Sequence, residues 1–92
     1  MKNMPLSIKG ATIIDVRENW EYSGGNVAGS TNIPLYELPE RLDEIKELPK
    51  PIVLCCASGN RSGQATMYLK QQGFEEVYNG GSWLEVNGKI VE

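Results

Sequence analysis

The sequence predicts a single α/β domain that is built on a largely parallel β-sheet. A chain of 92 residues allows one domain but not two. Its composition is 40% hydrophobic and 23% charged, which is typical of a globular protein rather than a disordered one. Short apolar, β-branched segments also alternate with segments of helical spacing, and this alternation is the pattern of parallel strands joined by helices.

The first half of the chain contains two predicted strands and two predicted helices. Residues 11–16 are β-branched and apolar, which predicts a buried strand, and a short helix is predicted over residues 18–22. After a Gly-rich turn, residues 31–33 predict a second short strand that stops at the following proline. Apolar side chains then recur at helical spacing from residue 38 to residue 48, which predicts a helix with one buried stripe.

The second half predicts two more strands around a longer helix. Residues 52–55 are continuously apolar, as expected for a strand in the middle of a parallel sheet. A helix is predicted from residue 62 to residue 72, with Gly73 as its left-handed C-terminal cap. A final strand is predicted over residues 75–78, Trp83 is expected to pack onto the sheet, and the Asn-Gly pair at 87–88 predicts a hairpin turn.

The chain contains no histidine. This excludes Ser-His-Asp and Cys-His catalysis and zinc sites that need imidazole ligands. The two cysteines, Cys55 and Cys56, are adjacent, which is the wrong spacing for a zinc knuckle and would strain a disulfide. We therefore expect two free thiols, no metal and no cofactor.

Charge and hydropathy exclude two classes of partner. The net charge is −3 and no basic stripe is present, so nucleic acid is not an expected partner. The longest apolar run, residues 52–57, is far shorter than the ~20 residues of a membrane span. The first ten residues have no apolar core of signal-peptide length, so we expect no membrane association and a cytoplasmic location.

The segment that carries chemistry begins at Cys56, where a central strand ends, a short loop follows and a helix starts. Backbone amides of such a loop can converge on an anion, and the helix N-terminus adds partial positive charge. We therefore predict that Cys56 is a nucleophile with a lowered pKa, and its small neighbours predict an open approach to the thiol. The expected substrate-binding residues follow directly: Ala57, Ser58, Gly59, Asn60, Arg61 and Ser62.

Charge around the thiol is expected to be positive in an otherwise acidic protein. No Asp or Glu occurs between Leu48 and Phe74, whereas Lys50, Arg61 and Lys70 do. This distribution favours a small anionic substrate.

Four segments resemble the rhodanese, or sulfurtransferase, family. They are the loop Cys-Ala-Ser-Gly-Asn-Arg-Ser at 56–62, Asp-Val-Arg with a following Glu at 15–21, Gly-Asn-Val-Ala-Gly-Ser-Thr-Asn-Ile-Pro at 25–34, and Gly-Phe to Gly-Gly-Ser-Trp at 73–83. The resemblance covers residues 6–92 and implies a single rhodanese-like domain. It implies a three-layer sandwich with a mostly parallel central sheet of about five short strands flanked by helices.

The resemblance also implies an activity. In this family the loop cysteine accepts a sulfane sulfur from thiosulfate or a persulfide donor and passes it to cyanide or a thiol. If these family roles apply to this sequence, Cys56 bears the persulfide, the amides of residues 57–62 surround it, and Arg61 helps to hold the anionic donor. The implied partners are a small anionic sulfur donor, a thiol or cyanide acceptor, and a protein that exchanges persulfide sulfur. One departure is Asn26, where the family usually has histidine, and we interpret that position as structural.

Three other functions remain open at this stage. A phosphatase or arsenate reductase also places Cys, a short loop and Arg at a helix start, but phosphatase loops have five residues between Cys and Arg, and this loop has four. A persulfide carrier would need the same loop as an enzyme, whereas a non-catalytic module would typically lack Cys56. A phosphatase would also need a loop aspartate to protonate the leaving group, and none is near.

Other polar residues have structural interpretations. We expect Asp15 and Arg17 to form a buried hydrogen-bonded pair, with Glu21 as a neighbour. Cys55 is interpreted as a core residue, with a redox role as resolving thiol as the alternative. The acidic segment 37–47 is interpreted as a solvated helix face or, alternatively, as a docking surface for a basic partner.

Overall fold

A four-stranded parallel sheet organises residues 10–90, the part of the chain that the computed structural model describes. The strands are β1 (Thr12–Asp15), β2 (Thr31–Asn32), β3 (Ile52–Cys56) and β4 (Val77–Ser82). Their order is β2-β1-β3-β4, and every neighbouring pair is parallel. All four strands therefore end at one edge of the sheet, which we call the carboxyl edge.

Helices cover both faces of this sheet, which gives three layers. They are α1 (Asn19–Ser23), a 3-10 helix (Leu35–Glu40), α2 (Leu42–Lys46), α3 (Asn60–Gln71) and α4 (Trp83–Ile90). The expected three-layer α/β sandwich is confirmed. Within residues 10–90 the sheet has four strands rather than about five, because the remaining apolar segments there form helices.

Successive side chains of the central strands alternate between two hydrophobic clusters. One face packs against the 3-10 helix, α2 and α3, and the opposite face packs against α4. The first cluster receives Ile14, Leu54 and Cys56 from the sheet. The second cluster receives Ile13, Val53 and Cys55. The two cysteines thus lie on opposite faces of β3.

Two predicted elements are wrong. The single helix expected from residue 38 to 48 is a 3-10 helix followed by α2, because Pro39 has no amide hydrogen to donate and Arg41 leaves the helical region at φ −122°. The hairpin turn expected at 87–88 lies inside α4. There the burial of Val86 against the sheet outweighs the turn preference of Asn-Gly.

Several boundaries also differ from the prediction by one to four residues. Helix α3 begins at Asn60 rather than residue 62, and β4 runs to Ser82 rather than ending at 78. Strand β4 is extended by a bulge, since Leu54 pairs with Asn79 but the next residue of β3 pairs with Gly81. Gly80 is the extra residue, and a Cβ there would lie 2.7 Å from the side chains of both Val53 and Val86.

Candidate active site

The loop after β3 turns back at Gly59, and α3 begins at the next residue. Gly59 has φ 101°, a left-handed conformation that residues with a side chain rarely adopt. A Cβ at Gly59 would also lie 3.4 Å from the Cα of Gly81 in β4. The first helical hydrogen bond of α3 runs from the amide of Gly63 to the carbonyl of Gly59. The amides before Gly63 are therefore available at the carboxyl edge.

The Cys56 thiol lies inside this turn and accepts hydrogen bonds from the backbone. The Gly59 amide is 3.0 Å and the Ser62 amide 3.3 Å from Sγ, and the Ser62 hydroxyl is 3.4 Å away. Burial by itself would raise the pKa of Cys56. Contacts with the Ser62 hydroxyl and with the Ser62, Gly59 and Ser58 amides outweigh burial, so the pKa of Cys56 is lowered. The thiolate is thus favoured, as the loop predicts.

Access to the thiol differs from the expectation of an open approach. Cys56 is 0% exposed, whereas the side chains of Ala57, Ser58 and Asn60 are exposed above it. The reason is that Sγ is drawn under the loop by the amides that bind it. A reactant must therefore pass the exposed loop residues to reach Sγ.

Cys55 has the opposite environment. It is 0% exposed in the cluster formed with Val53 and Val86, and both cysteines are free thiols. Burial, together with the negative charge of Asp15, raises the pKa of Cys55 to about 12. The thiol of Cys55 is therefore neutral at physiological pH, which agrees with a core residue.

Arg61 is paired with Glu21 of α1. The two terminal nitrogens of Arg61 lie 2.7 and 3.0 Å from the two oxygens of Glu21. This hydrogen bond is the main reason that the pKa of Glu21 falls to about 2 and that the pKa of Arg61 is raised. Glu21 is a neighbour of Arg17, as expected, since the guanidinium donates to the Glu21 carbonyl at 3.4 Å. Its carboxylate, however, binds Arg61 and anchors the first turn of α3.

The predicted pair of Asp15 and Arg17 is confirmed and is buried. The guanidinium binds both carboxylate oxygens at 2.8–3.0 Å and donates to the Gly25 carbonyl at 2.7 Å. It also lies 4.9 Å from the centre of the Trp83 ring. Trp83 packs against the second cluster, as expected of a core residue. This group holds the end of β1 to the start of α4.

The expectation of positive charge around the thiol is wrong. Lys50 precedes β3 at the opposite edge of the sheet, where its ammonium donates to the carbonyls of Lys46 and Leu48. Lys70 lies in the last turn of α3, away from the helix N-terminus. Of the three cations, only Arg61 lies at the loop, and a carboxylate binds it. Lys50 and Lys70 are close to the loop in the sequence but not in space. The start of β3 and the end of α3 both lie away from the carboxyl edge.

Asn79 is a site residue that the sequence analysis missed. Its Oδ1 accepts from the Ser62 hydroxyl at 2.6 Å and from the Gly81 amide at 3.0 Å, and its Nδ2 donates to the Gly59 carbonyl at 3.2 Å. The Asn-Gly-Gly sequence was interpreted only as the end of a strand. A useful signal was available, since a polar residue near the carboxyl end of the strand beside β3 lies next to the loop.

Asn26, the departure from the family pattern, lies in the loop after α1. Its Nδ2 donates to the carbonyl of Tyr22 at 2.9 Å, and its side chain is exposed. It therefore stabilises a turn. Within residues 10–90, no three Cys, Asp or Glu side chains are grouped so that they could hold a metal ion. No helix there has the length and apolar character that crossing a bilayer requires.

Comparison with known proteins identifies the family. Residues 2–86 match the model of the rhodanese-like domain, and the chain belongs to this family. It is 43% identical over 81 residues to the uncharacterized protein YqhL of Bacillus subtilis, covering 87% of this chain and 64% of that protein. It is 34% identical over 70 residues to the thiosulfate sulfurtransferase GlpE of Stutzerimonas stutzeri, covering 76% and 63%. The chain thus spans just under two thirds of the length of each relative.

A solved structure agrees with this assignment. A rhodanese from E. coli, determined with anions, superimposes with a TM-score of 0.74 at 33% identity, over 82% of this chain and 89% of that one. Both the fold and the sequence therefore place this chain among rhodanese-like proteins.

Proposed function

We propose that this protein is a sulfurtransferase in which Cys56 carries a sulfane sulfur between a donor and an acceptor. The observation that carries the proposal is the thiol of Cys56 under two backbone amides, with a pKa below that of an ordinary cysteine. Membership of the rhodanese-like family supports the same reaction. We also propose that residues 6–92 form a single rhodanese-like domain.

The first half-reaction loads the cysteine. With thiosulfate as donor, the Cys56 thiolate attacks the outer sulfur, an S–S bond forms, and the bond from that sulfur to the sulfite sulfur breaks. Sulfite leaves with the electron pair, Sγ becomes neutral, and the outer sulfur carries the negative charge of the new persulfide. A persulfide donor reacts in the same way and leaves as a thiolate. Once Cys56 is ionised, no proton has to move, which suits a site without histidine.

The loop stabilises the charge at its new position. The outer sulfur lies one bond beyond Sγ, towards the amides of the first turn of α3, of which Asn60 and Arg61 come before the first helical hydrogen bond. Fixed donors and the helix N-terminus act there without reorganisation. We assign Ala57, Ser58 and Gly59 to the same cradle. Arg61 contributes its amide, and its guanidinium holds the turn in place through Glu21.

The second half-reaction returns the enzyme to its starting state. Cyanide or an acceptor thiolate attacks the outer sulfur, the persulfide S–S bond breaks, and the electron pair returns to Sγ of Cys56. The products are thiocyanate, or an acceptor persulfide, and the Cys56 thiolate. The amides of Gly59 and Ser62 stabilise this leaving thiolate.

Phosphatase chemistry is disfavoured by the size of the loop. Four residues separate Cys56 from Arg61, and the amides of Gly59 and Ser62 already converge on Sγ within 3.3 Å. These amides are directed at Sγ itself rather than arranged around a tetrahedral oxyanion beyond it. The guanidinium that would bind a phosphate is already bound to Glu21.

The proposal is tested by intact-protein mass spectrometry and a thiosulfate:cyanide assay. Thiosulfate is expected to add the mass of one sulfur atom, cyanide to remove it, and thiocyanate to accumulate on turnover. Cys56→Ala is expected to abolish both the adduct and turnover, whereas the matched variant Cys55→Ala keeps both. An adduct that persists in Cys56→Ala would overturn the assignment, as would hydrolysis of a phosphomonoester without any sulfur adduct.

A further inference from the structure

The Ser62 hydroxyl has two acceptors within reach but only one proton. Its oxygen lies 2.6 Å from Oδ1 of Asn79 and 3.4 Å from Sγ of Cys56. A hydroxyl donates one hydrogen bond and accepts others. When Sγ is a thiolate, both it and Oδ1 can only accept, so they compete for the same proton.

The orientation of the Asn79 amide shows where this proton lies in the resting thiol. The Gly81 amide must donate to an oxygen, and the Gly59 carbonyl must accept from a nitrogen. These two contacts fix Oδ1 towards Ser62, so the Ser62 hydroxyl donates to Asn79. The Cys56 thiol then donates its own hydrogen to the oxygen of Ser62.

We propose that Asn79 is a positioning residue that sets the direction of the Ser62 hydroxyl during sulfur transfer. When the Cys56 thiol loses its proton to solvent, Sγ becomes a thiolate and the hydroxyl turns from Asn79 to Sγ. When the persulfide forms, the charge moves to the outer sulfur, Sγ becomes neutral, and the hydroxyl returns to Asn79. Asn79 thus stabilises the persulfide relative to the thiolate, because it binds the hydroxyl when Sγ carries no charge. This inference rests on the proposed function.

Two ion pairs lie near Cys56, and Glu85 of α4 lies beside Gly81, where its carboxylate accepts from the Ser82 amide at 3.1 Å. On α1 and α3, Glu21 is bound to Arg61, and on β1, Asp15 is bound to Arg17. Cys55 is the adjacent titratable group, and its thiol is neutral with a pKa of about 12. The Ser62 hydroxyl is therefore the mobile dipole beside Sγ, and Asn79 is its second partner.

The test measures two quantities in Asn79→Ala: the pH midpoint of Cys56 alkylation and the equilibrium between thiolate and persulfide in thiosulfate–sulfite mixtures. Without Oδ1 the hydroxyl remains on the thiolate, so the midpoint is expected to fall by about half a pH unit. The persulfide:thiolate ratio is expected to fall by about threefold. Asn87→Ala is the matched control, because Asn87 lies on α4 and takes no part in the hydrogen bonds of the loop.

The Ser62→Ala background separates this role from a merely structural one. If Asn79 acts through the hydroxyl, both effects of Asn79→Ala disappear when Ser62 is alanine. Asn79 could instead act only by donating to the Gly59 carbonyl. Asn79→Ala would then loosen the loop and raise the pH midpoint of Cys56 alkylation, by the same amount whether residue 62 is serine or alanine. Either a raised midpoint or equal changes would overturn the proposal.

A measurement on the unmodified protein covers the case in which Asn79→Ala does not fold. The Gly81 amide shares Oδ1 with the Ser62 hydroxyl, so its NMR chemical shift is expected to titrate with Cys56. That change is expected to be several-fold smaller in Ser62→Ala, and an equal change would overturn the inference. A protein that shows these titrations but forms no persulfide would refute the proposed function and leave the assignment of the hydroxyl intact.

Discussion

Cys55 and Cys56 are neighbours in β3, yet their thiols have opposite chemical character. Cys55 points into the cluster under α4, where burial raises its pKa to about 12. Cys56 points to the other face, where contacts with three amides and a hydroxyl lower its pKa in spite of burial. Neither residue is exposed to solvent, so exposure does not distinguish them, although Cys55 lies deeper. What distinguishes them is the supply of hydrogen-bond donors to the sulfur, which comes from the turn at Gly59.

The largest expected effect is in the reactivity of the two thiols. At pH 9 a thiol with a pKa of about 12 is roughly one-thousandth ionised, whereas Cys56 is mostly thiolate. The lower intrinsic nucleophilicity of the more acidic thiol offsets part of this difference. We expect iodoacetamide to alkylate Cys56 about a hundredfold faster than Cys55 in the folded protein, measured by peptide mapping. Similar rates would show that the donors of the loop do not control the thiol.

The second prediction concerns a variant that weakens the hydrogen bonds to Sγ of Cys56 and leaves the surroundings of Cys55 unchanged. Inserting one glycine between Gly59 and Asn60 lengthens the loop and moves the amides away from Sγ. Because stabilisation by fixed donors depends on distance, we expect thiosulfate turnover to fall about tenfold or more. Binding of phosphate or arsenate is expected to increase, measured by calorimetry. Unchanged turnover in the folded variant would show that loop length does not select the substrate.

The third prediction concerns the ion pair that anchors the first turn of α3 on the Cys56 side. Glu21→Gln is expected to lower the free energy of unfolding by about 1 kcal/mol at neutral pH, since the pair is partly exposed. Arg61 lowers the pKa of Glu21 from 4.5 to about 2, so the pair stabilises the fold above pH 4.5. This contribution is lost as the pH falls from 4.5 towards 2.

Urea unfolding of both proteins between pH 7 and pH 2 measures this effect. The difference between the wild type and Glu21→Gln is expected to shrink across that acid range. A difference that stays constant would show that the carboxylate charge is not what stabilises the turn.

The smallest effect is expected for substitution of Cys55, the unreactive thiol. Cys55→Ala removes one sulfur atom from a packed cluster and should cost about 1 kcal/mol of stability. Thiosulfate turnover is expected to stay within about twofold of the wild type, because Cys55 contributes no donor to Sγ of Cys56. A severe loss of turnover in a variant that unfolds at the normal urea concentration would instead support the resolving-thiol role.

The strands and the loop were predictable because their signals are local. The apolar run at 52–55 and the seven residues from Cys56 to Ser62 specify a buried strand, a turn and a helix start with little influence from elsewhere. The partners of the loop were not predictable in this way. Glu21 lies 40 residues before Arg61, and Asn79 lies 17 residues after Ser62. Their contacts depend on the order of strands in the sheet and on the bulge at Gly80.

In α4 the prediction failed for the opposite reason, because a strong local sequence signal was misleading. Asn-Gly at 87–88 is a common hairpin turn, but the segment follows β4 directly, with Val86 buried against the sheet and Trp83 stacked on Arg17. The tertiary contacts of two residues outweighed the turn preference of the next two.

The pairing of both arginines at the carboxyl edge has a kinetic consequence. Arg17 and Arg61 are each bound to a carboxylate, so little net positive charge is left to attract a distant anion. The dipoles of backbone amides act only at short range, whereas unpaired charges steer a reactant over about the Debye length of ~10 Å at 0.1 M salt. The net charge of −3 then repels a dianion such as thiosulfate, and salt screens this repulsion. The second-order rate constant for loading Cys56 should therefore rise between low and physiological ionic strength.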